Sequence, residues 1–115
     1  MIAYRPGKDV DLAMLIDLLR SCTLGARRPI DDNRRMGEMM RHANLVYTAW
    51  DGGTLVGFAR ALSDFAFCTY LSDLAVRDSH QRQGIGLELM HLIRAAAPEA
   101  TLILLAAPQA VDYYP

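Results

Sequence analysis

The chain has 115 residues, of which 52% are hydrophobic and 22% are charged, and its formal net charge is −1. This length suits one compact domain, and the apolar content excludes a disordered chain. The near-neutral charge gives no reason to expect a broad basic face for nucleic acid. Cys22 and Cys68 lie too far apart in sequence to supply the paired ligands of a structural zinc site.

The amino terminus gives no sign of a targeting segment. Residues 1–6 lack the basic stretch and the apolar run of a signal peptide. No unbroken apolar stretch reaches the roughly 18 residues that a membrane-spanning helix needs. We therefore expect one cytoplasmic domain over residues 1–115, with no membrane or nucleic-acid partner and no bound metal.

In chain order, the first predicted elements are a short strand at residues 2–4 and two helices. Asp9 is predicted to cap the first helix, and the second helix follows Asp31 or Asp32. Each helix carries apolar residues three and four positions apart, the spacing of a buried helix face. These residues are Leu12, Leu15, Ile16 and Leu19, then Met36, Met39, Met40 and Ala43.

The pattern then changes to that of three antiparallel strands, predicted at residues 45–50, 54–62 and 67–76. Asp51-Gly52-Gly53 supplies the turn residues of a tight hairpin between the first two. A helix with Leu89, Met90, Ile93 and Ala97 on its buried face follows. The apolar run at residues 101–106 predicts a strand buried on both faces, and Pro108 suits the start of a last helix.

A polar loop at residues 77–84 joins the third long strand to its helix, which Gly84-Ile85-Gly86 opens. Glycines let the backbone approach a ligand closely, and the start of a helix favours an anion, so this loop is typical of a phosphate site. A dinucleotide fingerprint needs a third glycine where Leu89 stands, and a P-loop needs a Gly-Lys-Ser/Thr sequence that the chain lacks.

The six residues from Gln81 to Gly86 resemble the Q/R-x-x-G-x-G/A signature of the GNAT superfamily. Residues 74–76 resemble the end of the strand before that signature, and the order of elements is similar over nearly the whole chain. The resemblance implies an α/β fold with a mixed, mostly antiparallel sheet flanked by helices and a parallel strand 4–helix–strand 5 unit. It also implies an N-acetyltransferase that uses acetyl-CoA and an amine acceptor.

The resemblance assigns the binding of CoA to two segments. Backbone N–H groups of the loop are expected to hold the pyrophosphate, and strand 4 is expected to pair with pantetheine through the main chains of Leu74 and Val76. The Val76 N–H would polarise the thioester carbonyl. The implied binding residues are Leu74, Ala75, Val76, Gln81, Arg82, Gln83, Gly84, Ile85, Gly86 and Leu87.

Two residues are candidates for proton transfer. Residues 110–114 resemble the A-x-x-F-Y segment of the family, which implies that Tyr114 is the general acid for the departing thiolate. The family often has Asn at the position of Ala107. Asp73 is the candidate general base, although strand alternation places it on the opposite face from Leu74 and Val76 unless a bulge intervenes.

Two further features leave alternatives open. The four arginines Arg27, Arg28, Arg34 and Arg35 are expected to form a solvated face, with a carboxylate-bearing acceptor as the other interpretation. The family usually continues beyond this length with two more strands, so the sequence predicts a C-terminally incomplete domain with an exposed strand edge and a homodimer. A non-catalytic acyl-CoA-binding or regulatory module, or an assembly domain that pairs through this edge, remain the alternative functions.

Overall fold

A computed structural model describes residues 1–104 of the chain. The elements in chain order are β1 Ile2–Pro6, α1 Leu12–Arg20, α2 Asn33–His42, β2 Leu45–Asp51, β3 Thr54–Ser63, β4 Cys68–Val76, α3 Ile85–Ala96 and β5 Thr101–Leu104. Short 3₁₀ turns lie at Thr23–Arg27 and Asp78–His80. The five strands form one sheet in the order β1-β2-β3-β4-β5, and α3 joins β4 to β5.

The pairing of the strands confirms the predicted mixed sheet. β1, β2, β3 and β4 pair antiparallel in sequence order. β4 and β5 pair in parallel, and α3 makes the connection that parallel neighbours require. No helix within residues 1–104 has the length and apolar character needed to cross a bilayer.

The sheet separates two apolar layers. Helices α1 and α2 pack on one face, where Leu15, Met36 and Phe58 belong to the same buried cluster. Helix α3 packs on the other face, where Leu89 and Ile93 meet Val56 and Leu71. The alternation of β-strand side chains divides the apolar residues of β2, β3 and β4 between these two layers.

A bulge interrupts β4 at Ser72. Arg60 pairs with Asp73, but the next residue of β3, Ala61, pairs with Leu71, so Ser72 has no partner on β3. The extra residue reverses the alternation, since Leu71 and Leu74 both face α3. Asp73 therefore faces α1 and α2, opposite to Leu74, as strand alternation beyond the bulge predicts.

Three exposed apolar side chains lie in a row across the sheet. The row is at the end of the sheet that is farther from the start of α3. Leu62 pairs directly with Tyr70, and Tyr70 pairs with Ile103. Their neighbours Ala61, Leu71 and Leu102 pack on the α3 side, so this apolar row lies on the face of α1 and α2. The three are 40%, 38% and 46% exposed, which means that neither helix covers them.

Several expectations need correction. Asp11, and not Asp9, caps α1, because its side chain immediately precedes Leu12 and accepts a hydrogen bond from the Ala13 N–H at 3.1 Å. The described part of β5 is not buried on both faces: Thr101 and Ile103 are exposed, because none of the helices within residues 1–104 covers that side of the strand. Met39 and Met40 are half-buried. The predictions for residues 105–115, including the end of β5, the last helix and Tyr114, lie outside the described residues.

Candidate functional site

The loop between β4 and α3 is shaped by two residues with positive φ. Arg82 has a φ of 65°, and Gly84, which caps α3, has a φ of 83°. Glycine adopts this conformation without strain, so its presence at the cap follows from the backbone. A Cβ on Gly84 would meet no atom within 4 Å, which shows that the space in front of the helix start is open.

The start of α3 presents unused hydrogen-bond donors to this space. Within residues 1–104, no hydrogen bond takes the backbone N–H of residues 82–87, and the first one into the helix runs from the Glu88 N–H to the Gly84 carbonyl at 3.0 Å. The first N–H groups of a helix have no partner inside it, and the helix dipole is positive there. The arrangement suits a phosphate or pyrophosphate without any basic side chain.

Gln81 connects this loop to the end of β4. Its Nε2 donates to the Val76 carbonyl at 3.1 Å. Since the carbonyl of Val76 is satisfied by this bond, the main-chain group that Val76 can offer to a ligand is its N–H. Gln81 therefore contributes to the site through its side chain as well as its position in the loop.

Beyond the bulge, every second main-chain N–H group of β4 points away from β3. The Arg77 N–H donates to the Val56 carbonyl at 2.7 Å. Successive residues of a strand direct their N–H groups to opposite sides, so those of Val76 and Leu74 point away from β3, towards the side of β5. Within the described residues, β5 pairs with Cys68–Leu71 of β4, and these groups of Leu74 and Val76 lie further along β4, on the side that an extended ligand could pair with.

Contacts from distant parts of the chain anchor the same loop. His80 Nε2 lies 2.9 Å from Asp51 Oδ2 in the β2–β3 hairpin, and this hydrogen bond holds the pKa of Asp51 below its usual value. Arg77 donates to the Leu55 carbonyl at 2.9 Å and pairs with Asp17 of α1 at 3.1 Å. Sequence reasoning missed these anchors, because no local pattern connects residues that lie so far apart in the chain.

The candidate base, Asp73, is engaged on both of its oxygens. Arg60 Nε donates to Oδ2 at 2.6 Å, and Arg28 Nε donates to Oδ1 at 2.7 Å. The Asp73 residue is 1% exposed. Arg28 is therefore not part of a solvated face: its side chain reaches β4, whereas Arg27, Arg34 and Arg35 are exposed as expected.

The structure thus brings together two of the predicted groups of residues. The main chains of Leu74 and Val76 lie at the end of β4, and residues 81–87 follow at the start of α3. Asp73 lies on the other face of the sheet, and Tyr114 lies outside the described residues. Within residues 1–104, no cluster of His, Cys, Asp or Glu could hold a metal ion.

Comparison with known proteins gives a match over most of the chain. The sequence model of the acetyltransferase (GNAT) family matches residues 12–114. A curated relative, "Uncharacterized N-acetyltransferase ycf52" from Gracilaria tenuistipitata var. liui, is 37% identical over 75 residues. The match covers 63% of this chain and 41% of the relative, so it spans less than half of that protein.

Solved structures resemble the chain over nearly its whole length. A GNAT family acetyltransferase from Streptococcus pneumoniae TIGR4 has a TM-score of 0.81 at 27% identity, covering 99% of this chain and 83% of that one. Aminoglycoside N-acetyltransferase AAC(6')-Iy, solved in complex with CoA, has a TM-score of 0.73 at 15% identity, covering 98% and 82%. The second likeness concerns the fold alone.

Proposed function

The chain belongs to the acetyltransferase (GNAT) family, and from that premise we propose that it transfers the acetyl group of acetyl-CoA to a primary amine. The amine attacks the thioester directly while both substrates are bound in a ternary complex. The nitrogen of the neutral amine forms a bond to the acetyl carbon and gives up a proton to water, and the bond from that carbon to sulfur breaks. The CoA thiolate then takes a proton from the protein.

The free backbone donors at the start of α3 are the observation that carries this proposal. The N–H groups of residues 82–87 have no acceptor within the described residues, and those of residues 85–87 belong to the first turn of α3, at the positive end of the helix dipole. A pyrophosphate supplies the negative oxygens that such a cradle needs. We assign CoA binding to Gln81, Arg82, Gln83, Gly84, Ile85, Gly86 and Leu87.

The end of β4 supports the rest of the assignment. Pantetheine is an extended chain with two amide groups, and the main-chain groups of Leu74 and Val76 that point away from β3 can hydrogen-bond to it as a neighbouring strand would. Ala75 lies between them and pairs with Phe58 of β3, which fixes the segment. In the proposed reaction, the Val76 N–H donates to the thioester oxygen as negative charge develops on it.

The two candidates for proton transfer, Tyr114 and Asp73, rest on different kinds of support. Tyr114 is proposed as the acid for the thiolate, on the family motif. The contacts of Asp73 favour a structural part over that of a base, because each of its oxygens already accepts a bond from a guanidinium group. To act as a base, the Asp73 carboxylate would have to break one of its hydrogen bonds to arginine before it accepts a proton.

Self-association is a second proposal. The apolar row of Leu62, Tyr70 and Ile103 ends on β5, which pairs only with β4 among the described strands. A row of exposed apolar residues favours pairing with another copy of the same surface. We propose that the chain forms a homodimer through this row.

Calorimetric titration of the chain with acetyl-CoA, NAD and ATP tests the cofactor assignment. We expect an affinity on the order of micromolar for acetyl-CoA alone. Leu87→Glu puts a carboxylate in the first turn of α3, where the helix dipole stabilises it, so the fold is retained. The same charge repels a pyrophosphate, and the affinity should fall about tenfold.

Leu87→Gln is the matched control, because it keeps the size of the new side chain without its charge. Equal weakening of acetyl-CoA binding by both variants would contradict the pyrophosphate cradle.

A thiol-release assay with a panel of amines then tests turnover, which Tyr114→Phe should reduce without a loss of acetyl-CoA affinity. Binding of acetyl-CoA with no turnover of any amine would instead favour the non-catalytic module.

A further inference from the structure

We propose that Arg28 is a positioning residue for acetyl transfer, because it fixes the bulge of β4 that directly precedes the proposed acetyl-CoA segment. The inference rests on the proposed function. Arg28 directly follows the 3₁₀ turn in the connection between α1 and α2, and its side chain is only 20% exposed. It therefore joins a connection on one face of the sheet to the strand that carries the site.

All three nitrogens of the Arg28 guanidinium have partners. Nε donates to Asp73 Oδ1 at 2.7 Å, Nη2 donates to the Ser72 carbonyl at 2.7 Å, and Nη1 donates to the Arg27 carbonyl at 2.8 Å. Ser72 is the bulged residue that has no partner on β3. Arg28 thus supplies a hydrogen bond to the main chain of the bulge itself.

The need to neutralise the charge of Asp73 does not explain why Arg28 lies here. Asp73 already pairs with Arg60, which lies directly opposite it on β3 at 2.6 Å. A second guanidinium adds the cost of ordering another long side chain and removing it from water, and buried ion pairs contribute little net stability. Besides Asp73, the group of β4 that Arg28 contacts is the Ser72 carbonyl, so the bulge is what this residue supports on the strand.

The position of the bulge explains why this support matters for the reaction. Ser72 lies just before the segment of β4 that carries the ligand-facing main chains of Leu74 and Val76. The bulge therefore sets the direction of this segment relative to β3. A small error in this direction displaces the Val76 N–H from the thioester, and misplacement by about 1 Å can lower a rate 100-fold.

The test compares Arg28→Ala and Arg28→Lys with Arg27→Ala, a neighbouring exposed arginine whose side chain takes no part in these contacts. We expect kcat to fall about 10- to 100-fold in Arg28→Ala, while the acetyl-CoA dissociation constant changes less than about threefold, because the pyrophosphate cradle remains. Lysine cannot bridge two acceptors as the guanidinium fork does, so Arg28→Lys should recover little of the loss. Added guanidinium should restore part of kcat in Arg28→Ala only.

Amide hydrogen exchange gives a readout that is independent of turnover. The N–H groups of Asp73 and Ala75 should exchange faster in Arg28→Ala than in the wild type or Arg27→Ala, at temperatures well below the melting point of each variant. Unchanged exchange at these residues overturns the inference, and so does faster exchange with an unchanged kcat. A wild type that acetylates no amine overturns the proposed function, whereas the exchange measurement still decides whether Arg28 holds the bulge.

Discussion

Asp64 folds the turn between β3 and β4 around its own carboxylate. Its Oδ1 accepts hydrogen bonds from the backbone N–H groups of Ala66, Phe67 and Cys68 at 2.9, 2.8 and 3.1 Å. These bonds lower the pKa of Asp64 from 3.8 to about 2. The turn also holds Phe65 at a φ of 62°, a conformation that bulky residues rarely adopt, so the carboxylate opposes a local strain.

The lowered pKa of Asp64 predicts a specific dependence of stability on pH. A carboxyl group with a depressed pKa in the folded state stabilises the protein above its unfolded value, here 3.8, and this stabilisation is lost as the pH falls through about 2. We expect Asp64→Asn to melt at a lower temperature than the wild type at pH 6, and the difference to vanish near pH 2. Melting curves across this range check it, since the other carboxylates are common to both proteins. A difference that does not vary with pH would mean that the charge of Asp64 plays no part.

At the scale of elements, Gly57 allows α3 to approach the sheet. A Cβ at this position would lie 2.9 Å from Ile85 Cγ2 and 3.0 Å from both Ala49 Cβ and Leu89 Cδ1. Ile85 is the first residue of α3, and Gly57 pairs with Val76 at the end of β4. The missing side chain therefore sets the distance between the two parts of the proposed CoA site.

Gly57→Ala should destabilise the fold by about 1–3 kcal/mol, because the added methyl group forces α3 outwards. Gly53→Ala is the matched control in the β2–β3 hairpin, where a Cβ meets nothing within 4 Å and the backbone does not need a positive φ. This control should be neutral or more stable by up to about 1 kcal/mol. Urea unfolding of both variants measures the difference. Equal stability of the two variants would show that the helix can shift without cost.

The sequence was sufficient to predict the elements that depend on local signals. Apolar spacing identified all three described helices, the Asp51-Gly52-Gly53 turn identified the β2–β3 hairpin, and the glycine loop identified the start of α3. The sequence could not predict the bulge at Ser72, because the bulge depends on a contact with Arg28, which lies far away in the chain. The ion pairs of Asp73 were missed for the same reason, so the sequence alone could offer this carboxylate as a base.

The burial of β5 shows a similar limit at the scale of the whole sheet. A continuous apolar run predicts a strand covered on both sides. Whether a helix reaches that strand depends on the lengths and directions of α1 and α2, which the run itself does not encode. As a result, α1 and α2 leave an exposed apolar row at the β5 end of their face, where Leu62, Tyr70 and Ile103 lie side by side.

This row makes the proposed homodimer testable for the whole molecule. Ile103→Lys places a charge at the end of the row, where it would lie against the same surface of a second copy, and burying an unpaired charge is unfavourable. We expect the wild type to sediment as a dimer at high concentration and Ile103→Lys to remain monomeric. Leu87→Lys is the control, because Leu87 is 45% exposed against 46% for Ile103 but lies on α3, across the sheet. A wild type that stays monomeric at every concentration removes the dimer, and equal dissociation by both lysines would assign the association to general surface apolarity.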